Sequence, residues 1–218
     1  WYNFSLPVEI APDFQAVVDS LGDRWKDRIY APFITKQGRL KMPLEHHFDV
    51  RFADRAIHRI RSLKGTPFIV TCSFIAPHDP NVVPSPYYEA FAPERIDLPV
   101  NRHQREKRFE RNWSREIVAG LGEVGLREFL RIYYGMVMLI DDQVGRILSA
   151  LQNLGMAHNT IVVFTSDHGD YMAEHRLLLK GIPPFEGAYR IPLIISGPGI
   201  AAGTQVDEVV SLLDLAPA

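Results

Sequence analysis

The chain has 218 residues, 46% of them hydrophobic and 23% charged, a balance that supports one packed domain and excludes a disordered chain. Its formal net charge of −2 excludes a global pull toward nucleic acid or an anionic membrane, so any handling of anions has to be local. The single cysteine, Cys72, excludes an internal disulfide, and no apolar run reaches the roughly 18 to 20 residues that span a bilayer.

The chain opens on Trp1-Tyr2-Asn3 rather than a methionine, which reads as a start within a longer protein, and nothing in it fixes a cellular compartment. Residues 1–45 carry no pattern that points to a function. From Val50 to Lys64 the apolar positions Ala53, Ala56, Ile57, Ile60 and Leu63 recur at three and four, predicting a helix that ends at Gly65. Pro67 to Ile75 is almost wholly apolar and rich in β-branched and aromatic residues, which predicts a strand buried on both faces. Pro77, Pro80, Pro84, Pro86, Pro93 and Pro99 then predict a long surface loop from Ala76 to Val100. The charge-dense segment Asn101 to Arg115 reads as a solvated face or an excursion.

Tyr133, Val137, Ile140, Val144, Ile147 and Leu151 mark a long amphipathic helix closed by Gly155. Thr160 to Thr165 and Ile191 to Ile195 predict two further buried strands, the second followed by the turn Gly197-Pro198-Gly199. Helices alternating with apolar strands predict an α/β fold, a layered α/β/α sandwich around a mostly parallel mixed sheet.

Ligands in such sheets bind at the carboxyl ends of strands, and two polar clusters fall there: Ala76-Pro77-His78-Asp79-Pro80, and Ser166-Asp167-His168-Gly169-Asp170. Asp167 and His168 offer a carboxylate oxygen and an imidazole nitrogen, a mixture that suits a divalent metal. The same residues also fit a helix cap at Asp167 beside a surface or core histidine. Lys180, in a predicted loop, fits neutralisation of an anionic substrate oxygen or simple solvation. His78 fits proton donation, anion binding or a backbone hydrogen bond. Asp141 and Asp142 are neighbours on a helix and point in different directions, so they form no catalytic pair. Cys72, within a predicted strand, reads as a small inert hydrophobe.

Taken in order, PFIVTCSFIAPHDP, the helix bearing Asp142 and Gly145, NTIVVFTSDHGD, Lys180-Gly181, RIPLIISGPG and SLLDLAP resemble the sulfatase branch of the alkaline phosphatase-like superfamily. The resemblance covers roughly three quarters of the chain. It implies that Asp167 and His168 are metal ligands, for calcium in a sulfatase or for manganese or zinc in a phosphonate or phosphodiester hydrolase. It implies that His78 and Lys180 are catalytic and bind the sulfate of a sulfated small molecule or glycan, with no nucleic acid or membrane partner. It also implies departures. The family's Cys-x-Pro-Ser-Arg motif, source of the formylglycine nucleophile, is not the sequence around Cys72, and the acidic metal ligands and Gly-Lys-x-His segment that lie nearer the family's N-terminus do not appear. The expectation is therefore residues 1–218 of a sulfatase catalytic domain truncated at both ends, inactive alone. The competing functions are a phosphonate or phosphodiester hydrolase and a non-catalytic sulfatase-like binding domain.

Overall fold

In the computed structural model, which describes residues 6–21, 36–104 and 114–216, most of the core is gathered around one long helical segment. The regular elements are β1 (Val8–Ile10), α1 (Pro12–Leu21), β2 (Gly38–Leu40), α2 (Phe48–Ser62), β3 (Val82–Val83), α3 (Ser114–Asn153), β4 (Val162–Thr165), α4 (Glu186–Tyr189) and β5 (Leu193–Ser196).

α3 has two arms, because Gly122 takes φ 61° and ψ −169° inside it. Its end is set by Gly155 at φ 69°, where the amides of Gly155 and Met156 donate to the carbonyls of Gln152 and Leu151 and satisfy the last turn. The buried face is Ile132, Gly135, Met136, Leu139, Ile140, Gln143, Ala150 and Leu151. The predicted stripe is thus rotated: Val137 is exposed and Tyr133 only half-buried. Gly135 explains the rotation, since a Cβ there would lie 2.5 Å from the carbonyl oxygen of Tyr87. The helix turns a glycine, not Val137, toward a closely approaching backbone.

α2 begins two residues before the predicted start. His47 caps it, its Nδ1 accepting the Asp49 amide at 3.3 Å, a role served more often by Ser, Thr, Asp or Asn. Val50, Ala53, Ala56, Ile57 and Ile60 form the buried face, and Gly65 is left-handed at φ 84° just beyond the end. Leu63 falls outside the helix as its C-cap. α2 lies along α3, with Asp54 accepting Arg146 at 2.5 Å between them.

β1 and β2 pair antiparallel, Val8 opposite Leu40, and β2 pairs parallel with β3, Gly38 opposite Val82. The segment Ala76 to Val100 is therefore not the surface loop that its prolines predict. Val82, Val83, Tyr87 and Ile96 are buried, and the Asn81 carbonyl accepts the Gly38 amide. Proline carries no N–H, so a proline-rich segment has fewer donors to satisfy once buried. The main core joins this segment to α1, α3 and the loop after β4 through Phe14, Val83, Tyr87, Ile117, Leu126, Phe129, Ile132, Met136, Leu139, Ala173 and Leu178.

β4 and β5 pair antiparallel, Val162 opposite Ser196 and Thr165 opposite Leu193. Both are expected from sequence to be buried, yet Val163 and Ile194 are exposed. Pro67 to Ile75 differs more. It pairs with no strand among the described residues, though its side chains alternate, Phe68, Val70, Cys72 and Phe74 half-covered while Ile69 is 97% exposed. A segment becomes a strand only where another backbone takes its polar groups, and the amides of this stretch's last residue, Ile75, and of the next, Ala76, instead donate to Asp49. Of the charged segment, residues 105–113 lie outside the described set, while Ser114 and Arg115 are buried at the start of α3. No helix among the described residues is long and apolar enough to cross a membrane. The result is an α/β chain with a mixed sheet.

Candidate active site

β4 delivers the chain to Ser166 at its carboxyl end, and the next residues turn back immediately. Gly169 makes the turn possible: its amide donates to the Ala188 carbonyl at 2.8 Å, and a Cβ on it would lie 2.1 Å from the Gly187 carbonyl oxygen. The Ser166 hydroxyl donates to the His168 carbonyl at 2.8 Å. No helix starts at Asp167, so the capping alternative is not realised. Its Oδ1 accepts the next amide, that of His168, at 2.9 Å, and Oδ2 lies 3.5 Å from His168 Nε2. The contact of His168 Nδ1 with the Gly169 carbonyl, 2.9 Å, assigns the ring proton to Nδ1 and the lone pair to Nε2. A carboxylate beside an imidazole held in that tautomer fits a divalent cation, and the carbonyl behind the ring is the usual outer support of a ligating histidine. Asp167 is open, its side chain 82% exposed. Among the described residues no group of three or more His, Cys, Asp or Glu side chains is gathered for a metal.

His78 and Lys180, 102 residues apart in sequence, are brought together, Nε2 and Nζ standing 2.6 Å apart. His78 sits between the cis bonds Ala76–Pro77 and Asp79–Pro80. Its Nδ1 lies 2.7 Å from the Asp79 carbonyl oxygen, so Nδ1 carries the proton and Nε2 accepts from the ammonium. Asp79 is buried, and its Oδ1 is 3.4 Å from the same Nδ1. What places this loop is Asp49 in the first turn of α2, 1% exposed, whose carboxylate accepts the Ile75 amide at 2.7 Å and the Ala76 amide at 3.2 Å. Asp49 also neighbours Cys72, whose thiol is pushed above its ordinary range by burial first and by that carboxylate second. A thiol held protonated is a poor nucleophile, as expected of Cys72.

Asp170 ends the second cluster, its Oδ1 accepting the Met172 amide at 3.0 Å. Burial pushes its carboxyl up to about 7, the nearby Asp79 carboxylate adds to the rise, and the Met172 amide, Lys180 and the Leu179 amide oppose it. Between Tyr171 and Leu179 the chain makes a closed loop, with the Tyr171 amide on the Leu179 carbonyl and the Ala173 amide on the Leu177 carbonyl, both 2.8 Å. Met172, Ala173, His175, Arg176 and Leu179 all have positive φ, a conformation costly for residues with a Cβ. Packing sustains it: Tyr171, Leu177 and Ala188 form a small core with Phe185, His175 stacks on Phe185 at 3.8 Å between centroids, and Asn101 Nδ2 lies 3.2 Å from His175 Nε2.

All four side chains singled out from the sequence, His78, Asp167, His168 and Lys180, thus lie on the two loops expected to carry them. Asp49, Asp170 and Gly187 escaped sequence reading. Asp49 lies in an unremarkable first helical turn and Gly187 in a short helix. Asp170 alone left a signal, its adjacency to Gly169.

The sulfatase family model matches residues 7–218. An arylsulfatase of Clostridium perfringens is 37% identical over 158 residues, 69% of this chain and 33% of that protein. An uncharacterized sulfatase of Escherichia coli, YidJ, is 32% identical over 172 residues, 77% of this chain and 34% of that protein. The crystal structure of the phosphonate monoester hydrolase of Agrobacterium radiobacter superposes with a TM-score of 0.61 at 25% identity, over 89% of this chain and 43% of that one. The chain spans about a third of the length of these two curated relatives. It has the alkaline phosphatase-like α/β fold, and it belongs to the sulfatase family.

Proposed function

We propose that the protein to which this chain belongs hydrolyses sulfate esters, and that residues 1–218 are the part of its catalytic domain that supplies one half of a metal site and two sulfate-binding side chains. The observation that carries this reading is the Lys180–His78 pair, closed at 2.6 Å between loops far apart in sequence, in a chain of the sulfatase family. An ammonium beside a neutral imidazole is built for an anion whose leaving oxygen needs a proton. Lys180 donates to the sulfate and its bridging oxygen, and His78, held at Nδ1 by the Asp79 carbonyl, accepts from the ammonium at Nε2; the departing alkoxide takes an ammonium proton from Nζ, leaving Lys180 as the neutral amine. Asp167 and His168 would hold a divalent cation, calcium for a sulfatase, whose charge favours the anionic ester. Cys72 is not the nucleophile, because it lies outside the family's motif and its thiol is held protonated.

The test is turnover of aryl sulfates by the full-length protein. Activity with added calcium that falls sharply in Lys180→Ala and His78→Ala supports the reading; a protein equally active without either side chain ends it. A second reading, hydrolysis of phosphonate monoesters with manganese or zinc, is favoured by the superposition on the Agrobacterium radiobacter enzyme. Preference for a phenyl phosphonate monoester over an aryl sulfate would select it. Turnover of neither substrate would favour a non-catalytic domain that binds sulfated glycans.

A further inference from the structure

We infer that Tyr171 is a positioning residue for Lys180: its backbone amide and its phenol hydroxyl hold the residues on either side of the lysine and so fix where the ammonium stands against His78. The inference rests on the proposed role of Lys180. On the N-terminal side, the Tyr171 amide donates to the Leu179 carbonyl at 2.8 Å. On the C-terminal side, the Tyr171 hydroxyl donates to the Gly181 carbonyl and shares the same proton with the Pro183 carbonyl. Lys180 therefore lies between two neighbours that are both tied to one residue. The anchor itself is firmly packed. Tyr171 is 2% exposed, within the small core of Leu177, Ala188 and Phe185, its ring edge-on to Phe185 at 6.4 Å between centroids. Burial pushes the phenol up to about 12, so the hydroxyl keeps the proton it donates near neutral pH. Packing restrains the stretch after the lysine only weakly, since Gly181 and Ile182 are exposed. A Gly181 carbonyl freed from the hydroxyl lets the backbone at Lys180 turn, and the lysine's long flexible stem magnifies that turn at the ammonium.

Tyr171→Phe in the full-length protein removes the hydroxyl and leaves the ring in its core, and a double-mutant cycle reads the effect. Turnover of an aryl sulfate is expected to show kcat lowered by about 10- to 100-fold with KM little changed, the scale of a misplacement of about 1 Å near the reacting atoms. In a Lys180→Ala background the same substitution is expected to change kcat by less than about twofold, because the group it positions is gone. An unchanged kcat in Tyr171→Phe, or an equal loss in both backgrounds, would overturn the inference. Acetylation of Lys180 by acetic anhydride, read by peptide mass spectrometry, needs no turnover and therefore separates failure of this inference from failure of the hydrolase reading. Relative to Lys64, exposed beyond α2, the Lys180 rate is expected to rise severalfold in Tyr171→Phe as the ammonium leaves His78. An unchanged ratio in a folded variant would overturn the inference. Should Tyr171→Phe not fold, replacement of Tyr171 by 4-fluorophenylalanine, which fills the hydroxyl's space without donating, gives the same two readouts and the same decision.

Discussion

At the scale of single residues, the site is held by a few close contacts whose removal has defined consequences. Lys180→Ala in the full-length protein is expected to cost about 3 kcal/mol of transition-state stabilisation, as loss of one charge-stabilising donor commonly does, read as a fall in kcat/KM. Asp49→Ala leaves the Ile75 and Ala76 amides without their acceptor, so stability is expected to fall by about 1 to 3 kcal/mol for the desolvated donors, measured by urea unfolding. Gly169→Ala drives a methyl to within 2.1 Å of the Gly187 carbonyl. Overpacking of this kind costs about 1 to 3 kcal/mol, and thermal stabilisation by calcium at the proposed Asp167–His168 site is expected to be lost with it, since the same backbone turn carries both residues. His78, Asp167, His168 and Lys180 could be singled out because each stands in a motif with its neighbours in sequence. Asp49 was not, because its two partners lie 26 and 27 residues away, and nothing local marks a helix-start aspartate as the anchor of a distant loop.

At the scale of elements, helices were more legible than strands, for a physical reason. The faces of α2 and α3 are set by 3.6-residue periodicity and local hydrogen bonds, so their existence and ends at Gly65 and Gly155 follow from sequence. The phase of α3 did not, because it depends on Gly135 meeting the Tyr87 backbone. Gly135→Ala weighs the two effects. Helix propensity favours alanine by about 1 kcal/mol, but a Cβ 2.5 Å from a carbonyl oxygen costs about 1 to 3 kcal/mol. A lower melting temperature is expected, and a rise would show that α3 can shift. The His47 cap adds a pH dependence. Burial lowers the His47 pKa from its ordinary 6.5 against the pull of Asp49, and only an unprotonated Nδ1 can accept the Asp49 amide. The unfolded chain therefore binds the proton more readily: the contribution is fully present above about pH 6.5 and is lost as pH falls below it. Unfolding midpoints across pH 5 to 8 should show this slope in the wild type and a flatter one in His47→Asn, which caps at every pH.

At the scale of the whole molecule, the apolar strands tell a different story from the helices. Pro67 to Ile75, β4 and β5 were read as buried because they are apolar. Among the described residues they instead present Ile69, Val163, Ile194 and Ile195 to solvent. Composition reports what a segment needs to bury, and the rest of the fold decides whether these residues alone can bury it. The polypeptide by itself is therefore expected to bind a hydrophobic dye and to self-associate as its concentration rises; a dye-silent monomer at all concentrations by light scattering would contradict this. It is also expected to turn over no aryl sulfate, since the Cys-x-Pro-Ser-Arg motif of the sulfatase resemblance does not occur in its sequence. The 2.6 Å contact of His78 with Lys180 joins residues 102 apart, with the whole of α3 between them, and this bears on synthesis. At about 5 to 20 residues per second, His78 leaves the ribosome roughly 5 to 20 s before its partner. Throughout that interval α2, the Asp49 anchor and the buried proline-rich segment are what can keep the histidine loop in shape. The yield of active sites per chain made should therefore follow the early stability of that first half rather than the Asp-His motif, and codon changes that pause translation within α3 should alter yield without altering sequence.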